Sequence, residues 1–229
     1  MAPDPEPTRR KLIDAATLLF AERGVGAVSR AEIGRAAGQR NTAALVYHFG
    51  NLDGILRVIL DDHVERIRER RLALLSAAMT ESPTAVRPVI EALVRPIADL
   101  LIGNWRDRAH LRIHAEVTNQ VWSTAEVREL SRRGGADEAH RELARRCPGI
   151  PADVRRERDL LVAAFVARAS GARARALAEG RAPGDFPLSH PRFVANLIDV
   201  GVAAVTAPVS DEVRGEAHDE VREDGREAG

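Results

Sequence analysis

The chain has 229 residues, of which 45% are hydrophobic and 30% are charged. This length provides for one ordinary core, or for a small domain attached to a larger one. No apolar run approaches the roughly 18 residues that cross a bilayer, and the acidic, proline-rich start from Met1 to Thr8 lacks the form of a signal peptide. A single cysteine, Cys147, excludes an internal disulfide, so we expect a cytoplasmic protein.

The formal net charge of zero conceals an uneven distribution. Residues 207–229 carry eight acidic and three arginine side chains, a net of −5, which leaves 31 basic against 26 acidic side chains, or +5, on the rest of the chain. A mildly basic body is compatible with nucleic-acid binding, although a solvated surface of mixed charge explains it equally well.

The apolar residues predict an all-α fold that begins with a helix near Thr8. Alanine and leucine dominate, β-branched runs are short, and alternation of period two is rare. A stripe at helical spacing, which Gly24 ends as a left-handed stop, marks the first helix. The stripe consists of Leu12, Ile13, Ala16, Leu19 and Phe20.

Capping signals define the next three helices. Ser29 and Glu32 have the spacing of a capping box, which predicts a short second helix that ends at Gly38. A third short helix is predicted from about residue 41 to 48. Asn51 can cap a fourth helix, which we expect to extend to about Met79.

The remainder predicts a second helical region and a tail. Helices are expected near 84–102, 107–120, 124–146, 152–180 and 188–206. Charge replaces apolar periodicity after that, which is typical of disorder. We therefore predict a DNA-binding domain over 8–68, a ligand-binding and dimerisation domain over 69–206 and an acidic disordered tail over 207–229.

The first three helices have the layout of a helix-turn-helix, in which two short helices around a tight turn are braced by a longer one. Their apolar faces form a shared core of Leu12, Ala16, Phe20, Ile33, Ala37, Leu45 and Phe49. That core leaves the start of the third helix free to enter a major groove. Side chains suited to base edges there are Gln39, Arg40, Asn41, Thr42 and Ala43. Those suited to phosphates are Ser29, Arg30, Tyr47 and His48.

A helical hairpin that does not bind DNA would produce the same spacing. The identities of the residues are therefore needed to distinguish it from a helix-turn-helix. The strings concerned are LIDAATLLFAERG from Leu12, SRAEIGRAAG from Ser29, YHF from Tyr47 and LDGIL from Leu52. Together they resemble the signature of the tetracycline-repressor (TetR) family of transcription regulators over about residues 8–60.

The resemblance implies an all-helical homodimer with a small DNA-binding domain and a larger ligand-binding and dimerising domain. It also implies repression from a palindromic DNA operator until a small molecule binds. Two departures stand out. The stretch between Gly38 and Tyr47 is one residue longer than the common form, which affects the register of the recognition helix, and Leu52 replaces the family's usual phosphate-binding lysine.

The C-terminal half carries candidates of a weaker kind. A ligand pocket would involve the distinctive side chains Trp105, His110, His114, Trp122 and Phe165. The two histidines lie four residues apart, as a metal site would need. The string between them has no catalytic glutamate and no third ligand is evident, so a pocket wall or core histidines are favoured and we expect no metal or other cofactor.

Dimerisation would use the last two helices, with a stripe of Phe193, Leu197, Val200 and Ala204. From pattern alone the same stripe could face the subunit's own core, and the family resemblance favours the interface. Glu116 is expected to pair with a nearby arginine.

We find no phosphate loop and no converging catalytic set, so an enzyme is not expected. The leading hypothesis is a ligand-responsive dimeric repressor that binds double-stranded DNA. The alternative is a helical protein-binding adaptor that has lost DNA contact, which the absent lysine at the Leu52 position slightly favours.

Overall fold

Helices account for 82% of the residues described by the structure, a computed structural model that describes residues 5–39, 43–118, 129 and 132–214. Within those ranges there is no strand, and the all-α prediction is confirmed. The helices are α1 (Pro5–Arg23), α2 (Arg30–Ala36), α3 (Ala43–Phe49), α4 (Leu52–Glu81), α5 (Arg87–Ala98), α6 (Trp105–Thr118), α7 (Ala136–Arg146), α8 (Ala152–Ala178) and α9 (His190–Thr206).

The ends of the first four helices follow their local signals. α1 begins slightly before the predicted start, because Pro7 lies in the first turn, where its missing amide hydrogen is not needed. The capping box at the start of α2 is present: the Glu32 amide donates to Ser29 Oγ, and the Ser29 amide donates to Glu32 Oε2. Asn51 caps α4 by accepting a 2.8 Å hydrogen bond from the Gly54 amide.

An N-terminal core joins α1 to α4 and extends to α6. Six of the seven predicted core residues are buried and Phe49 packs against them, which confirms that prediction. Two residues of α6, Ala109 and Ile113, belong to the same cluster and are 5% and 0% exposed. The three-helix unit is therefore completed by a helix that lies far along the chain.

The long helix α4 connects this core to a second one. Its 30 residues extend about 45 Å at the usual rise of an α-helix. Ile55 and Ile59 near its start lie in the N-terminal core, whereas Leu75 near its end lies in a C-terminal core formed mainly with α5, α8 and α9. The buried guanidinium of Arg71 fixes α4 to α5 by donating to the Ala92 carbonyl at 3.2 Å.

The first residues of the predicted tail pack on the body of the protein. Val209 is 8% exposed, and Arg158 of α8 donates hydrogen bonds to the carbonyls of Ala207 (2.6 Å) and Pro208 (3.2 Å). Ordered structure therefore continues beyond residue 206, where the sequence predicted disorder. Residues 215–229 lie outside the described part of the chain.

Among the described residues, no single helix is both long and apolar enough to cross a bilayer. The one pair of helices that meets these criteria jointly, α3 with α4, is bent by 54°.

The close approach of α6 and α8 depends on Gly171. A Cβ atom at this position would lie 2.4 Å from Ala115 Cβ and 3.1 Å from the Leu111 carbonyl oxygen. We expect Gly171→Ala to lower the free energy of unfolding by about 1–3 kcal/mol, because the helices must move apart. Urea denaturation at fixed protein concentration measures this change.

Gly34→Ala is the matched control, since Gly34 is also buried within a helix but its Cβ position meets nothing within 4 Å. This variant should be about 0.5–1 kcal/mol more stable than the parent protein. Equal effects of the two substitutions would show that helix propensity, and not the contact between α6 and α8, determines the change in unfolding free energy at Gly171.

Candidate nucleic-acid interface and buried histidine cluster

Helices α2 and α3 present an exposed outer face on a tightly packed base. Leu45 of α3 and Ile33 of α2 are both 0% exposed, whereas Tyr47 is 81% exposed. Ala43, at the first turn of α3, is also exposed. A short helix held in this way can be inserted into a groove without disturbing its own core.

The structure locates six of the nine predicted DNA-contacting residues. Arg40, Asn41 and Thr42 lie outside the described residues. Arg30 is exposed at the start of α2, Gln39 is half-buried after α2, and His48 is half-buried with its ring 5.0 Å from that of Tyr47.

Ser29 caps α2, and its phosphate contact stays a prediction. Its hydroxyl donates to Glu32 Oε2 at 2.6 Å, within the capping box. Hydrogen bonds from Ser29, and then from Arg23, lower the pKa of Glu32 to about 2. The Ser29 hydroxyl is therefore already engaged, which leaves Arg30 as the better phosphate contact of the two.

Arg9 is a basic residue that the sequence reasoning missed. Its guanidinium lies 5.6 Å from the centre of the Phe49 ring, beside the end of α3. The signal for it was present, since Arg9, Arg10 and Lys11 form a basic run at the start of α1. The tertiary contact is what brings this run next to the helix-turn-helix.

Polar contacts reinforce the packing of α6 on the N-terminal helices. Arg106 makes a bidentate pair with Asp14 of α1, at 2.8 Å for each hydrogen bond. At the other end of α6, the Val25 amide donates to Glu116 Oε1 at 2.9 Å. Glu116 therefore binds the loop after α1, and the expectation that it would pair with an arginine is wrong.

The opposite side of α6 contacts α4 through a histidine cluster, His63, His110 and His114. The rings of His63 and His110 stack with centroids 3.9 Å apart and planes 9° apart. His110 and His114 follow with centroids 5.8 Å apart. Both ring nitrogens of His110, Nε2 of His63 and Nδ1 of His114 are buried and have no hydrogen-bond partner among the described residues.

The surroundings keep these rings neutral. Burial, and then the nearby His63, lowers the pKa of His110 well below its ordinary value, while burial and Arg71 lower the pKa of His114 to about 4. Burial and Arg66 lower the pKa of His63, although Asp107 Oδ1 lies 3.4 Å from its Nε2. Each ring therefore resists protonation.

The geometry of the cluster does not suit a metal ion. Imidazole lone pairs lie in the ring plane, so the nitrogens of two nearly parallel stacked rings do not converge on one point. Across the described ranges, no group of three or more histidine, cysteine, aspartate or glutamate side chains is arranged to hold a metal.

The four predicted pocket residues that the structure describes are not all brought together. Trp105 is 39% exposed with the Arg106 guanidinium 4.7 Å from its ring centre, and Phe165 is 38% exposed on α8. Trp122 lies outside the described residues. Only His110 and His114 meet, because helical spacing identifies residues that share a face but not the neighbour that covers them.

The predicted dimerisation stripe also divides between two environments. Leu197 is 1% exposed in the subunit's own C-terminal core, Ala204 packs against that core, and Phe193 lies beneath the Arg173 guanidinium at 4.5 Å. Val200, by contrast, is 42% exposed. Leu197 is therefore a core residue of the subunit, and the prediction that it lies in a dimer interface is wrong.

The N-terminal segment is similar to a known family of proteins. The sequence profile of a family described as "Bacterial regulatory proteins, tetR family" matches residues 12–59. Residues 12–59 therefore form a domain of the TetR type. The resemblance carried by the sequence strings is thus confirmed. Among curated proteins, none matches the chain.

Solved structures extend the TetR likeness to most of the chain. AmtR of Mycobacterium smegmatis is 22% identical, with 88% of this chain and 87% of that chain covered and a TM-score of 0.53. A putative TetR-family regulator from a Rhodococcus species is 18% identical, with 88% of this chain and 100% of that chain covered and a TM-score of 0.51. FadR of Bacillus halodurans, a fatty acid degradation regulator, is 15% identical. The match covers 87% of this chain and 95% of that chain, with a TM-score of 0.53. The protein therefore has the fold of TetR-family DNA-binding transcription regulators.

The lowered histidine pKa values make the TetR fold sensitive to acid. An unfolded histidine binds a proton near pH 6.5, whereas folded His114 does so only near pH 4. The stability that neutral His114 contributes is therefore complete above about pH 7 and is lost as the pH falls toward 4, by about 2 kcal/mol between pH 7 and pH 5.

We expect His114→Gln to reduce this dependence, as measured by urea denaturation at pH 7 and pH 5. His48→Gln, in the DNA-binding domain, is the control and should keep the full dependence. An unchanged dependence in His114→Gln would exclude His114 as its source.

Proposed function

We propose that this protein is a homodimeric repressor that binds a palindromic operator and releases it when a small molecule binds. The observation that carries the proposal is the exposed face of α3, held on a buried core in a TetR-family domain. The runner-up function is a protein-binding adaptor without DNA contact.

In this proposal the stretch before α3 reads the bases. Arg40 pairs with a guanine, Asn41 or Gln39 pairs with an adenine, and the methyl groups of Thr42 and Ala43 meet a thymine methyl. Arg30, Tyr47 and His48 hold the DNA backbone. Arg9 adds a phosphate contact at the start of α1.

An exposed apolar surface on α8 and α9 supports the dimer. Leu161 is 52% exposed, Phe165 38% and Val200 42%, although all three are large apolar side chains. Burial of such a surface is favourable in a two-fold interface, where each residue meets a symmetry-related patch. A two-fold dimer then requires half-sites about 34–36 Å apart, or a multiple of this distance.

The effector would act through α6, since this helix packs on α1 with one face and on α4 with another. A ligand near the histidine cluster would satisfy some of the buried nitrogens and would shift α6 relative to α4. It would release the operator only to the extent that it binds one conformation more tightly than the other. Because the operator is chromosomal DNA, the proposal places the protein in the cytoplasm.

The adaptor alternative has one observation in its favour. Leu52 occupies the place of the usual lysine, and it packs partly buried against the N-terminal core. A leucine there contributes packing and no phosphate contact. The loss of one cationic contact lowers the salt slope of DNA binding by only about one unit, so it does not abolish binding.

Selection from a random duplex library with the full chain, followed by salt-dependent binding titrations, tests the proposal. We expect a palindromic site whose affinity falls steeply with salt. Arg40→Ala and Asn41→Ala should each cost about 1–3 kcal/mol and relax one base preference, whereas Arg30→Ala should reduce the salt slope by about one.

Arg156→Ala is the matched control. This exposed arginine lies near the start of α8, which is the end of the helix remote from the N-terminal domain. It should leave both affinity and salt slope unchanged. No duplex binding even at low salt would reject the repressor and favour the adaptor.

A further inference from the structure

A cleft of about 610 Å³ lies where the end of α1 meets α6 and α8. Its volume is within the range of small-molecule sites, roughly 300–1,000 Å³. Five small residues are part of its lining, namely Gly24, Ala115, Gly171, Ala172 and Ala176. The cleft is separate from the histidine cluster, since no histidine lines it.

Three arginines that line the cleft have no direct ion-pair partner among the described residues. Arg112 on α6 and Arg168 and Arg175 on α8 make no hydrogen bond or ion pair with any residue that the structure describes. Nε of Arg112 is fully buried. Burial, and then the charge of Arg175, lowers the pKa of Arg112. Two guanidinium groups that repel one another beside an open space favour an anion between them.

The acidic groups of the cleft compensate the arginines only in part, since the charges of Glu22 and Glu179 act on Arg112 without a direct ion pair among the described residues. Glu116 is engaged by the Val25 amide, and Arg23 is paired with Glu32 at 2.6 Å. Glu22 and Glu179 are exposed at the rim, and within the described ranges neither comes within ion-pair distance of the three arginines. The charges of the cleft are thus held apart across a space of ligand size.

We propose that this cleft, which we call the arginine cleft, binds a small molecule with a multivalent oxyanion group, either a phosphate or a polycarboxylate. The forked donors of Arg112 and Arg175 hold the oxyanion in bidentate fashion, and Arg168 adds a third positive charge. Hydroxyl or amino groups of the same ligand reach Glu22 and Glu179. A group with a single negative charge would leave the three arginines only partly neutralised.

The position of the arginine cleft connects such a ligand to the N-terminal domain. Glu22 and Arg23 end α1, Gly24 begins the loop that follows, and Glu116 on the other side of the cleft holds that loop. A bound ligand therefore touches both the end of α1 and Glu116, the residue that holds the loop after α1. Any effect on DNA rests on the proposed function, whereas binding to the cleft does not.

The test is calorimetric titration of the full-length protein with inorganic phosphate, pyrophosphate and citrate at constant ionic strength set by chloride. We expect saturable binding of pyrophosphate, citrate or both, together with a shift of the Arg112 Nε–H resonance in nitrogen-15 NMR spectra. Binding of pyrophosphate alone identifies a phosphorylated ligand, and binding of citrate alone identifies a polycarboxylate.

Arg112→Gln and Arg175→Gln should each weaken binding about tenfold, which is the loss of one charged hydrogen-bonding partner. Arg175 is exposed, so its variant folds even if Arg112→Gln does not. Arg192→Gln, at an exposed arginine of α9 outside the cleft, is the matched control and should bind as the parent does.

Absence of saturable binding by all three anions, or binding that survives unchanged in both cleft variants, overturns the proposal. A separate titration with the selected operator distinguishes the two ideas. Anion binding without DNA binding rejects only the repressor, and DNA binding without anion binding rejects only the arginine cleft.

Discussion

The burial of α6 against the N-terminal helices is the contact on which the arrangement of the whole molecule depends. Ala109 and Ile113 enter the same cluster as Leu12 and Phe20 of α1, and Ile113 is fully buried there. Full burial of an isoleucine side chain is worth about 1.5–3 kcal/mol. The N-terminal unit is small, so a contribution of this size is a substantial part of its stability.

Because α6 is shared, each of its faces connects the N-terminal core to a different part of the protein. One face of α6 meets α4 at the stacked histidines. Another face packs so closely on α8 that only a glycine fits at position 171. Polar contacts at both ends of α6, with Asp14 and with the Val25 amide, fix its position along α1. Movement of α6 by a ligand on either side would therefore be transmitted to the helix-turn-helix.

The parts of the fold that local chemistry determines could be predicted from the sequence. The box formed by Ser29 and Glu32 and the cap at Asn51 depend only on residues within a few positions of each other. The core around Leu45 follows from helical periodicity. Recognition of the TetR family used the same short segment, in which many positions must agree at once.

What could not be predicted depends on which element covers a given face. Periodicity placed Leu197 and Val200 on one stripe, yet α5 and α8 bury the first and leave the second exposed. Phe165 faces outward and does not line a pocket with the histidines. Glu116 binds a backbone amide 91 residues away, and no pattern in the sequence encodes such a partner.

Hydrogen exchange on the Ile113→Ala variant tests most directly whether α6 completes the N-terminal core. If it does, the loss of this side chain lowers the protection of the Ala16 and Phe20 amides by about 2–4 kcal/mol. Leu143→Ala, in the C-terminal core alone, should affect these two amides less than those of α5 and α8. Full protection of α1 in Ile113→Ala, with losses confined to the C-terminal helices, would contradict the account.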